Sequence, residues 1–533
     1  MRNARLKVFI FALLAGLLVV ALWPAFQSPG QPEDEGIALV HSEMLLKGLL
    51  PYRDFERIYG PGNLIILSAA YGIFGTNIFV ERAVGLIYRI LILLAIFGIV
   101  QRWGTLIASG CALVTLVLLS GTDVWANTWW PAVAFALCAL WMMANVSSGR
   151  RCFGGGFCGG LALLCRCDFA PALVASLLPL LLSMKREATK KFLAGGAVAF
   201  VPLLWLGFAV GPANLVHNLF LLPVFELGSG GYLPLSAAGA EVLRIFYLHI
   251  AASTLNIAAG VVALRGSTPE RGRLLLGAAL LGLGLIHYSL SRFDGGHVFN
   301  AALVSFGLLP LSIFVLFSTI VKTIPSWLKA TAAIFIAFVA IQLLLPQFTR
   351  YFFRGIRVEL GLDRARRVSK MGEYLEPGDK GIFVKRNGRT FPLGTEQAAR
   401  AADLMLSELE KVSAAGQLLF VGPGDLRRTV YGDTWIYHML PQLRPASYFL
   451  EMNPGSANAP GSRLTRDVAS ADWLVLNRAW DLIIEPNRSS EFGPDEPNKI
   501  VRTEFDFWAE YGPYLVFRNK RLRNMIESGP PNR

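Results

Sequence analysis

Charged residues are scarce in this chain: they make up 16% of its 533 residues, whereas 54% are hydrophobic. An average soluble domain has roughly 25% charged residues. The shortage excludes a soluble globular fold for most of the chain, because the apolar residues form blocks close to the length of about 20 residues that crosses a bilayer. The net charge of +13 does not indicate nucleic-acid binding, since Lys and Arg are scattered between those blocks as a membrane topology signal. We therefore expect a polytopic membrane protein with no nucleic-acid partner.

Several motifs are also missing. Cysteine does not occur after residue 167, so the C-terminal part is not a disulfide scaffold. No G-x-S-x-G sequence occurs, which disfavours a hydrolase with a Ser/His/Asp triad. The loop at 421–425 (VGPGD) lacks the glycine patterns of both dinucleotide-binding and P-loop proteins, and we interpret it as a turn.

About eleven apolar blocks match or approach the length of a membrane span. The first follows Arg2, Arg5 and Lys7 and is longer than the apolar core of a secretory signal peptide, so we expect an uncleaved first transmembrane helix. The blocks cover residues 8–26, 83–100, 104–121, 131–147, 153–167, 169–184, 192–210, 242–264, 274–290, 298–321 and 328–346.

A further apolar block at 64–80 decides the orientation, because cytoplasmic loops are rich in Lys and Arg. If this block does not cross, the N-terminus and almost every basic loop of the membrane region lie in the cytoplasm. We therefore place it at the outer surface as an amphipathic segment, which puts the C-terminal part outside as well. Arg244, near the start of a span on the outer side, is the main exception to the charge pattern.

After about residue 346 the composition becomes that of a soluble domain. Residues 396–413 have helical periodicity, with Thr395 as the N-cap. Short apolar runs that indicate buried strands lie at 381–384, 418–421, 473–476 and 514–517. Because strands and helices alternate, we predict an extracytoplasmic α/β domain over 347–533, after a membrane region over 1–346 that has a long outer loop at 27–82.

The outer face of this topology gathers carboxylates mixed with arginines. A site for a phosphorylated substrate needs such a mixture, because arginine binds phosphate oxygens with a planar fork. Arg89 lies inside the second span, where an ionisable residue is costly and is therefore a functional candidate. The other candidate site residues are Asp34, Glu35, Arg53, Asp54, Arg57, Tyr59, Asp123, Arg166, Asp168, Arg292, Asp294 and His297.

The first outer loop carries acidic residues at 33–35, then GLLPYRDF at 48–55 and YGP at 59–61. In these features the membrane region resembles the GT-C superfamily of polytopic glycosyltransferases, in particular the bacterial relatives of protein O-mannosyltransferases and of the lipid A aminoarabinose transferase. The resemblance extends to about residue 346, and the C-terminal domain is similar only in placement and α/β character. It implies a multi-pass protein of the bacterial cytoplasmic membrane, with the N-terminus in the cytoplasm and the C-terminal domain outside.

The resemblance also implies a reaction, in which a sugar moves from a polyprenyl-phosphate carrier to an acceptor hydroxyl outside the membrane. The general base of the family maps onto Asp34, with Glu35 adjacent, and Asp123 matches a second acidic position of the aminoarabinose transferase relatives. The implied partners are a polyprenyl-phosphate-linked hexose or pentose, a lipid, glycan or protein acceptor, and membrane lipid. No cofactor is required, and Mg²⁺ or Mn²⁺ stays open because the spacing of the carboxylates defines no cage.

The departing phosphate of such a reaction needs cations, and the acceptor oxygen needs a base. We predict that Arg53, Arg57, Arg89 and Arg292 are the phosphate partners. Simpler structural roles stay open for several candidates: pairing among the charges at 53–57, a helix cap for Asp123, and a boundary ion pair for Arg166 with Asp168.

Two other functions are alternatives to a transferase. A polytopic transporter would show internal repeats, and the sequence has none that we detect. A non-catalytic membrane scaffold with an outer binding domain leaves the outer carboxylates and arginines unexplained.

Overall fold

The computed structural model describes residues 2–144, 148–227, 230–363 and 379–527. Helices fill its N-terminal part, and a π-helical stretch, His217–Glu226, follows the eleventh of them. These helices are α1 Arg2–Leu22, α2 Asp34–Leu46, α3 Gly62–Phe74, α4 Ile78–Val100, α5 Thr105–Leu119, α6 Trp129–Met143, α7 Gly149–Cys165, α8 Ala170–Leu181, α9 Arg186–Ala199, α10 Val201–Val210, α11 Pro212–Val216, α12 Ala240–Leu264, α13 Pro269–Gly284, α14 Ile286–Ser291, α15 Gly295–Gly307, α16 Leu309–Ile320, α17 Ser326–Leu344 and α18 Pro346–Glu359.

The C-terminal part contains both helices and strands, as predicted. Its elements are β1 Ile382–Arg386, β2 Arg389–Leu393, α19 Glu396–Val412, β3 Leu418–Pro423, α20 Trp435–Met439, β4 Arg444–Pro445, α21 Leu464–Ser470, β5 Trp473–Asn477, α22 Glu496–Glu504, β6 Phe505–Tyr511, β7 Tyr514–Asn519 and α23 Lys520–Glu527.

Seven helical segments of the described chain are long and apolar enough to cross a membrane, which confirms a polytopic architecture. They are Arg5–Gln27, Ile78–Trp103, Arg186–Val210, Ala240–Leu264, Pro269–Ser291, Gly295–Ile320 and Ser326–Leu344. The four other predicted spans coincide with α5, α6, α7 and α8, each of which is shorter than 18 residues. The count of about eleven spans therefore stays a prediction.

The outer segment predicted over 64–80 is one helix followed by the start of another. The helix α3 ends at Phe74, because Gly75 adopts a left-handed conformation with φ at +82°. Asn77 then caps α4, its side-chain oxygen accepting a hydrogen bond from the backbone N–H of Phe79 at 2.8 Å. The predicted boundary at residue 80 is therefore wrong, and α3 is a 13-residue helix that packs against α2, α4 and α7.

Glycines let α7 and α9 approach each other to backbone contact. A Cβ atom added at Gly156 would lie 1.8 Å from the carbonyl oxygen of Phe192, and one at Gly195 would lie 2.0 Å from that of Phe153. Such small-residue contacts hold helices together in a membrane, where burial of apolar surface provides little drive for association. This part of the helix packing therefore depends on two positions without side chains.

The C-terminal domain is built on a five-stranded mixed sheet in the order β4-β3-β5-β7-β6. The strands β4, β3 and β5 are parallel, whereas β7 is antiparallel to both β5 and β6.

The N-cap of α19 is Thr395, whose hydroxyl accepts a hydrogen bond from the N–H of Ala398 at 3.1 Å. The predicted helix and the four predicted strands, now β1, β3, β5 and β7, are confirmed.

The C-terminal domain packs directly on α2. A Cβ atom at Gly36 would lie 2.4 Å from the backbone nitrogen of Trp435, so α2 and α20 touch through their backbones. Two turns further along α2, Glu43 accepts two hydrogen bonds at 2.7 Å from the guanidinium of Arg389 in β2. The domain therefore restrains the helix that begins with Asp34.

We expect Arg389→Met to loosen this contact, because it removes two charge-assisted hydrogen bonds, each contributing roughly 1.5–3 kcal/mol. Hydrogen exchange measured by mass spectrometry on the purified protein should show faster exchange in the β1–β2 hairpin and α20. Arg400→Met is the control, since Arg400 forms only an exposed pair with Glu396 within α19. Equal effects of the two substitutions would contradict a docking role for Arg389.

Candidate active site

A cavity of about 1440 Å³ lies where the membrane helices meet the C-terminal domain. Its walls come from the loop before α2, from helix ends around α8, α12 and α15, and from loops of the C-terminal domain. The predicted site residues that line it are Asp34, Tyr59, Asp123, Arg166, Asp168, Arg292, Asp294 and His297. The fold thus brings together residues from the first outer loop and from connections far along the chain.

Asp34 is the first residue of α2 and faces the cavity. Although Asp34 is exposed to the cavity, the protein around its carboxyl group partly removes its solvation, which raises its pKa to about 6. The positive charges of His297 and Arg292 lower the pKa and so limit the rise. At neutral pH the group is ionised and basic enough to accept a proton from a hydroxyl.

Two further carboxylates share the cavity with Asp34, and neither is among the residues predicted from sequence. Burial, together with the charge of Asp34, raises the pKa of Glu33 well above its usual range. Burial, followed by the charge of Glu56, raises the pKa of Glu451 to about 7. No motif surrounds Glu451, so only the docking of the C-terminal domain reveals it.

The segment that carries Glu451 is attached to the first outer loop. The backbone N–H of Glu56 donates to the carbonyl oxygen of Tyr448 at 2.9 Å. The side chain of Glu56 accepts a hydrogen bond from the hydroxyl of Ser456 at 2.6 Å. These bonds on both sides of Glu451 fix its position at the cavity.

Arg166 lies within a group of aromatic rings on the cavity wall. Its guanidinium carbon is 4.9 Å from the ring centre of Tyr288, 5.1 Å from that of Tyr59 and 5.6 Å from that of Trp129. Asp168 accepts hydrogen bonds from Nε and Nη2 of Arg166 at 3.0 and 2.7 Å. The two residues therefore form an ion pair, as in the structural alternative, and also line the cavity, as in the functional prediction.

Arg292 joins the α14–α15 connection to the C-terminal domain. Its guanidinium donates to Asp294 at 2.9 Å, to the hydroxyl of Tyr431 at 2.9 Å, and to Glu485. Asp294 caps α15 by accepting from the backbone N–H of His297 at 2.9 Å. Burial disfavours ionisation of Asp294, but hydrogen bonds and charges from His297 and Arg292 outweigh it and lower the pKa to about 2. Asp294 therefore stays ionised and acts as the link between helix cap and arginine.

Glu35 points into the protein, where it forms a buried ion pair with Arg82. Nε and Nη2 of Arg82 donate to the two Glu35 oxygens at 2.8 and 2.9 Å. The remaining nitrogen, Nη1, donates to the carbonyl oxygens of Ala25, Phe26 and Ser28 at 3.0, 2.9 and 3.0 Å. The pair fixes the first turn of α2 against the chain that leaves α1, and the structure does not bring Glu35 to the cavity.

Arg89 is buried within α4 and holds the loop that carries Asp123. Its guanidinium donates to the carbonyl oxygen of Trp125 at 3.2 Å and to that of Asp123. The Asp123 side chain faces the cavity, and burial raises its pKa. The alternative role of helix cap is filled by Asn127, whose side-chain oxygen accepts from the N–H of Trp129 at 3.0 Å.

Three candidates of the first outer loop lie away from the cavity lining. Arg53 and Asp54 pair with each other at 2.8 Å, and Asp54 also accepts from the backbone N–H of Leu50 at 2.7 Å. Arg57 is buried, with Nη1 3.4 Å from Nδ1 of His41. The geometry of Arg53 and Asp54 is that of the structural alternative, in which the charges fix the loop.

No group of three or more His, Cys, Asp or Glu side chains in the described ranges is arranged to hold a metal ion. These residues therefore supply no ligand set for Mg²⁺ or Mn²⁺.

A second cavity of about 700 Å³ adjoins the first, and the two share Glu241 and Gln347 in their walls. It lies between the start of α12, the end of α17 and α18. Two arginines, Arg244 and Arg350, and apolar side chains such as Phe338 line it. Arg244, the exception to the charge pattern, thus belongs to a cavity.

Comparison with known proteins gives matches in structure only. No protein-family model matches the chain, and no curated protein sequence matches it. The crystal structure of ArnT from Cupriavidus metallidurans bound to undecaprenyl phosphate covers 98% of this chain and 99% of its own, with a TM-score of 0.54 and 14% identity. The apo state of the same protein covers 100% of both chains, with a TM-score of 0.51 and 14% identity. An oligosaccharyltransferase from Archaeoglobus fulgidus covers 96% of this chain and 73% of its own, with a TM-score of 0.48 and 11% identity.

The chain therefore has the fold of ArnT, a GT-C glycosyltransferase, over its whole length. The predicted resemblance to the GT-C superfamily is confirmed at the level of the fold. The C-terminal domain, which was expected to be similar only in placement and α/β character, is included in the matched length.

We expect Arg82→Met to destabilise the protein strongly, because removal of one partner leaves Glu35 as an unpaired buried charge, at a cost of roughly 3–5 kcal/mol. Thermal unfolding of the purified protein in detergent should show a lower Tm. The double variant Glu35→Gln with Arg82→Met should recover part of the loss, since no charge is then left unpaired. A double variant as unstable as the sum of both single variants would contradict the ion pair.

Proposed function

We propose that the protein is a glycosyltransferase that moves a hexosyl or pentosyl group from a polyprenyl-phosphate donor to an acceptor hydroxyl. The observation that carries the proposal is Asp34, a carboxylate with a pKa of about 6 in a cavity between the two parts of the chain that adjoins an arginine-lined side cavity. The match over the full length to a transferase crystallised with undecaprenyl phosphate supports the class of donor.

Asp34 acts as the general base in this proposal. The acceptor oxygen bonds to the anomeric carbon while the bond from that carbon to the phosphate oxygen breaks. The acceptor proton moves to Asp34, and the polyprenyl phosphate leaves with the bonding electrons. A base placed in this way contributes typically about 10²–10⁴-fold to the rate.

The side cavity binds the donor phosphate. Arg244 and Arg350 supply the positive charge there, and Phe338 and Phe353 supply apolar surface for the first isoprene units. Arg292, which was predicted as a phosphate partner, already donates to Asp294, Tyr431 and Glu485. We therefore assign Arg292 to positioning the C-terminal domain, and Arg89 to positioning the loop of Asp123.

Carboxylates from both parts of the chain surround the reacting centre. Asp123 lies on the membrane side of the cavity, and Glu451 reaches it from the C-terminal domain. With a pKa of about 7, Glu451 can donate a hydrogen bond to a sugar or acceptor oxygen at neutral pH. The acceptor is a lipid, a glycan or a protein whose hydroxyl enters between the two parts.

The topology belongs to the same proposal. We place the protein in the bacterial inner membrane, with the N-terminus in the cytoplasm and the division between membrane region and outer domain at residue 346. Both cavities then open on the outer side. Arg244, which departs from the charge pattern of the loops, serves the donor rather than the orientation.

Asp34→Asn should lower kcat by about 10²–10⁴-fold, because an amide cannot accept the proton. The measurement is release of polyprenyl phosphate from a panel of polyprenyl-phosphate sugars, with membrane extract as acceptor and with and without added Mg²⁺ or Mn²⁺. Wild-type activity should fall as the pH drops below about 6, since protonation then removes the base. Glu187→Gln, an exposed carboxylate on α9, is the control. A folded Asp34→Asn variant with wild-type turnover would rule out the assignment.

Arg244→Gln should raise the KM for the donor by roughly 10–100-fold, in line with the loss of one hydrogen bond to a charged group. The kcat should fall as well, because the phosphate gains negative charge as it leaves and the arginine stabilises that charge in the transition state. Arg265→Gln is a matched control, since Arg265 is exposed at the opposite end of the same helix. An unchanged KM in the folded Arg244 variant would exclude the side cavity as the phosphate site.

A further inference from the structure

One loop of the C-terminal domain exposes apolar side chains next to the membrane helices. Leu482 is 84% exposed and Ile484 is 68% exposed, and the neighbouring Pro486 is exposed as well. The side chains between them, Ile483 and Glu485, are more buried. The alternation shows an extended segment with one apolar edge that no other described part of the protein covers.

The backbone of this loop is held firmly, so its exposure is not the fraying of a loose segment. Arg428, itself only 8% exposed, donates to the carbonyl oxygens of Asp481 at 2.8 Å and Ile483 at 2.5 Å. It also lies 3.4 Å from the carbonyl oxygen of Ser489, at the far end of the loop. A buried arginine thus fixes both ends while Leu482 and Ile484 point outward.

The loop is hydrogen-bonded to the connection between two membrane-spanning segments. Arg292 belongs to the short connection between the membrane-spanning segments Pro269–Ser291 and Gly295–Ile320, and its guanidinium donates directly to Glu485. An extended chain spans at most about 3.6 Å per residue, so Ile484 adjoins this contact and Leu482 lies within roughly 11 Å of it. The headgroup layer on each side of the hydrocarbon is roughly 5–7 Å thick. Both side chains therefore lie near the ends of these two spans, where the headgroup layer is expected.

The chemistry of the surroundings favours lipid as the partner. Trp480, at the start of the loop, lies 5.5 Å, between ring centres, from Tyr431, and both rings line the cavity. Leu482 and Ile484 are not part of the cavity lining, so their apolar edge is exposed outside the cavity. The π-helix His217–Glu226, which lines the same cavity, exposes Phe220 and Phe225. A narrow edge of two large side chains is much smaller than a stable protein interface, which buries roughly 800 Å² on each partner.

We propose that Leu482 and Ile484 insert into the headgroup layer of the membrane leaflet that faces the C-terminal domain. This contact anchors the domain to the bilayer at the rim of the cavity, beside the Arg292–Glu485 contact. The anchor keeps Tyr431 and Glu451 in place over the helix ends without any further covalent connection. It does not depend on the reaction that the cavity performs.

The test uses the full chain with Ile484→Cys, labelled with an environment-sensitive fluorophore, in a Cys167→Ser background that removes the exposed native cysteine. The protein is reconstituted in vesicles of phosphatidylethanolamine and phosphatidylglycerol, with and without lipids that carry a quencher on the headgroup. Vesicles that contain the quencher-bearing lipid should reduce the fluorescence of the label at position 484. Leu482→Cys serves as a second site if the first variant does not fold.

Phe507→Cys is the matched control, because Phe507 is 58% exposed in the same domain. Phe507 lies in β6 and pairs with Phe517 of β7, which in turn pairs with Leu474 near the start of β5. The loop that carries Leu482 and Ile484 follows the other end of β5. We expect no quenching at position 507. Equal fluorescence with and without quencher at position 484 would overturn the proposal, and so would quenching that is the same at both sites. A spectral change at 484 that requires added protein rather than lipid would assign the edge to a protein partner and would also overturn it.

Discussion

The geometry of the cavity depends on one buried ion pair, between Arg82 in α4 and Glu35 in α2. An unpaired charge at that depth would be very costly, so each partner requires the other. Arg82 also binds three carbonyl oxygens of the chain that leaves α1. The first span, the loop after it and the start of α2 are therefore fixed as one unit, and Asp34, the residue next to Glu35, is directed to the cavity. The residue with the structural role and the residue with the proposed catalytic role are neighbours in the sequence.

The cavity separates its carboxylates into two classes by their partners. Asp294 and Glu485 both bind Arg292. Hydrogen bonds and charge from His297, with a contribution from Arg292, lower the pKa of Asp294 despite burial, and Arg292 lowers that of Glu485. Within the described residues no arginine is hydrogen-bonded to Asp34 or Glu451, and loss of solvation raises their pKa values to about 6 and about 7. Sites that carry out proton transfer commonly contain carboxylates whose environments push the pKa values apart in this way. The paired carboxylates hold the two parts of the protein together, and the unpaired ones remain available for chemistry.

The C-terminal domain is part of the site and not an appendage to it. It contacts α2 through Trp435 and Arg389, and it contacts the α14–α15 connection through Glu485 and Tyr431. Between these two contacts it contributes Glu451 to the cavity wall. A lipid anchor at Leu482 and Ile484 would add a third restraint at the rim. The cavity that contains Asp34 is therefore built from both parts of the chain.

The sequence by itself determined the features that depend on local pattern: a polytopic membrane region, the resemblance to the GT-C superfamily, the helix capped by Thr395, and the strands with continuous apolar runs. It did not reveal β2 or β6, because RTFPL and FDFWAEY mix polar and apolar residues and their pairing depends on distant strands. The residue pattern alone did not separate Asp34 from Glu35, and only the family resemblance favoured Asp34, since the direction of adjacent side chains follows from a partner 47 residues away. Arg53 and Arg89 have the composition of phosphate ligands, but only the tertiary structure shows that a neighbouring carboxylate and backbone carbonyl groups occupy their guanidinium groups. Glu451 carries no local signal at all, because the position of its carboxylate depends on the docking of one domain on another.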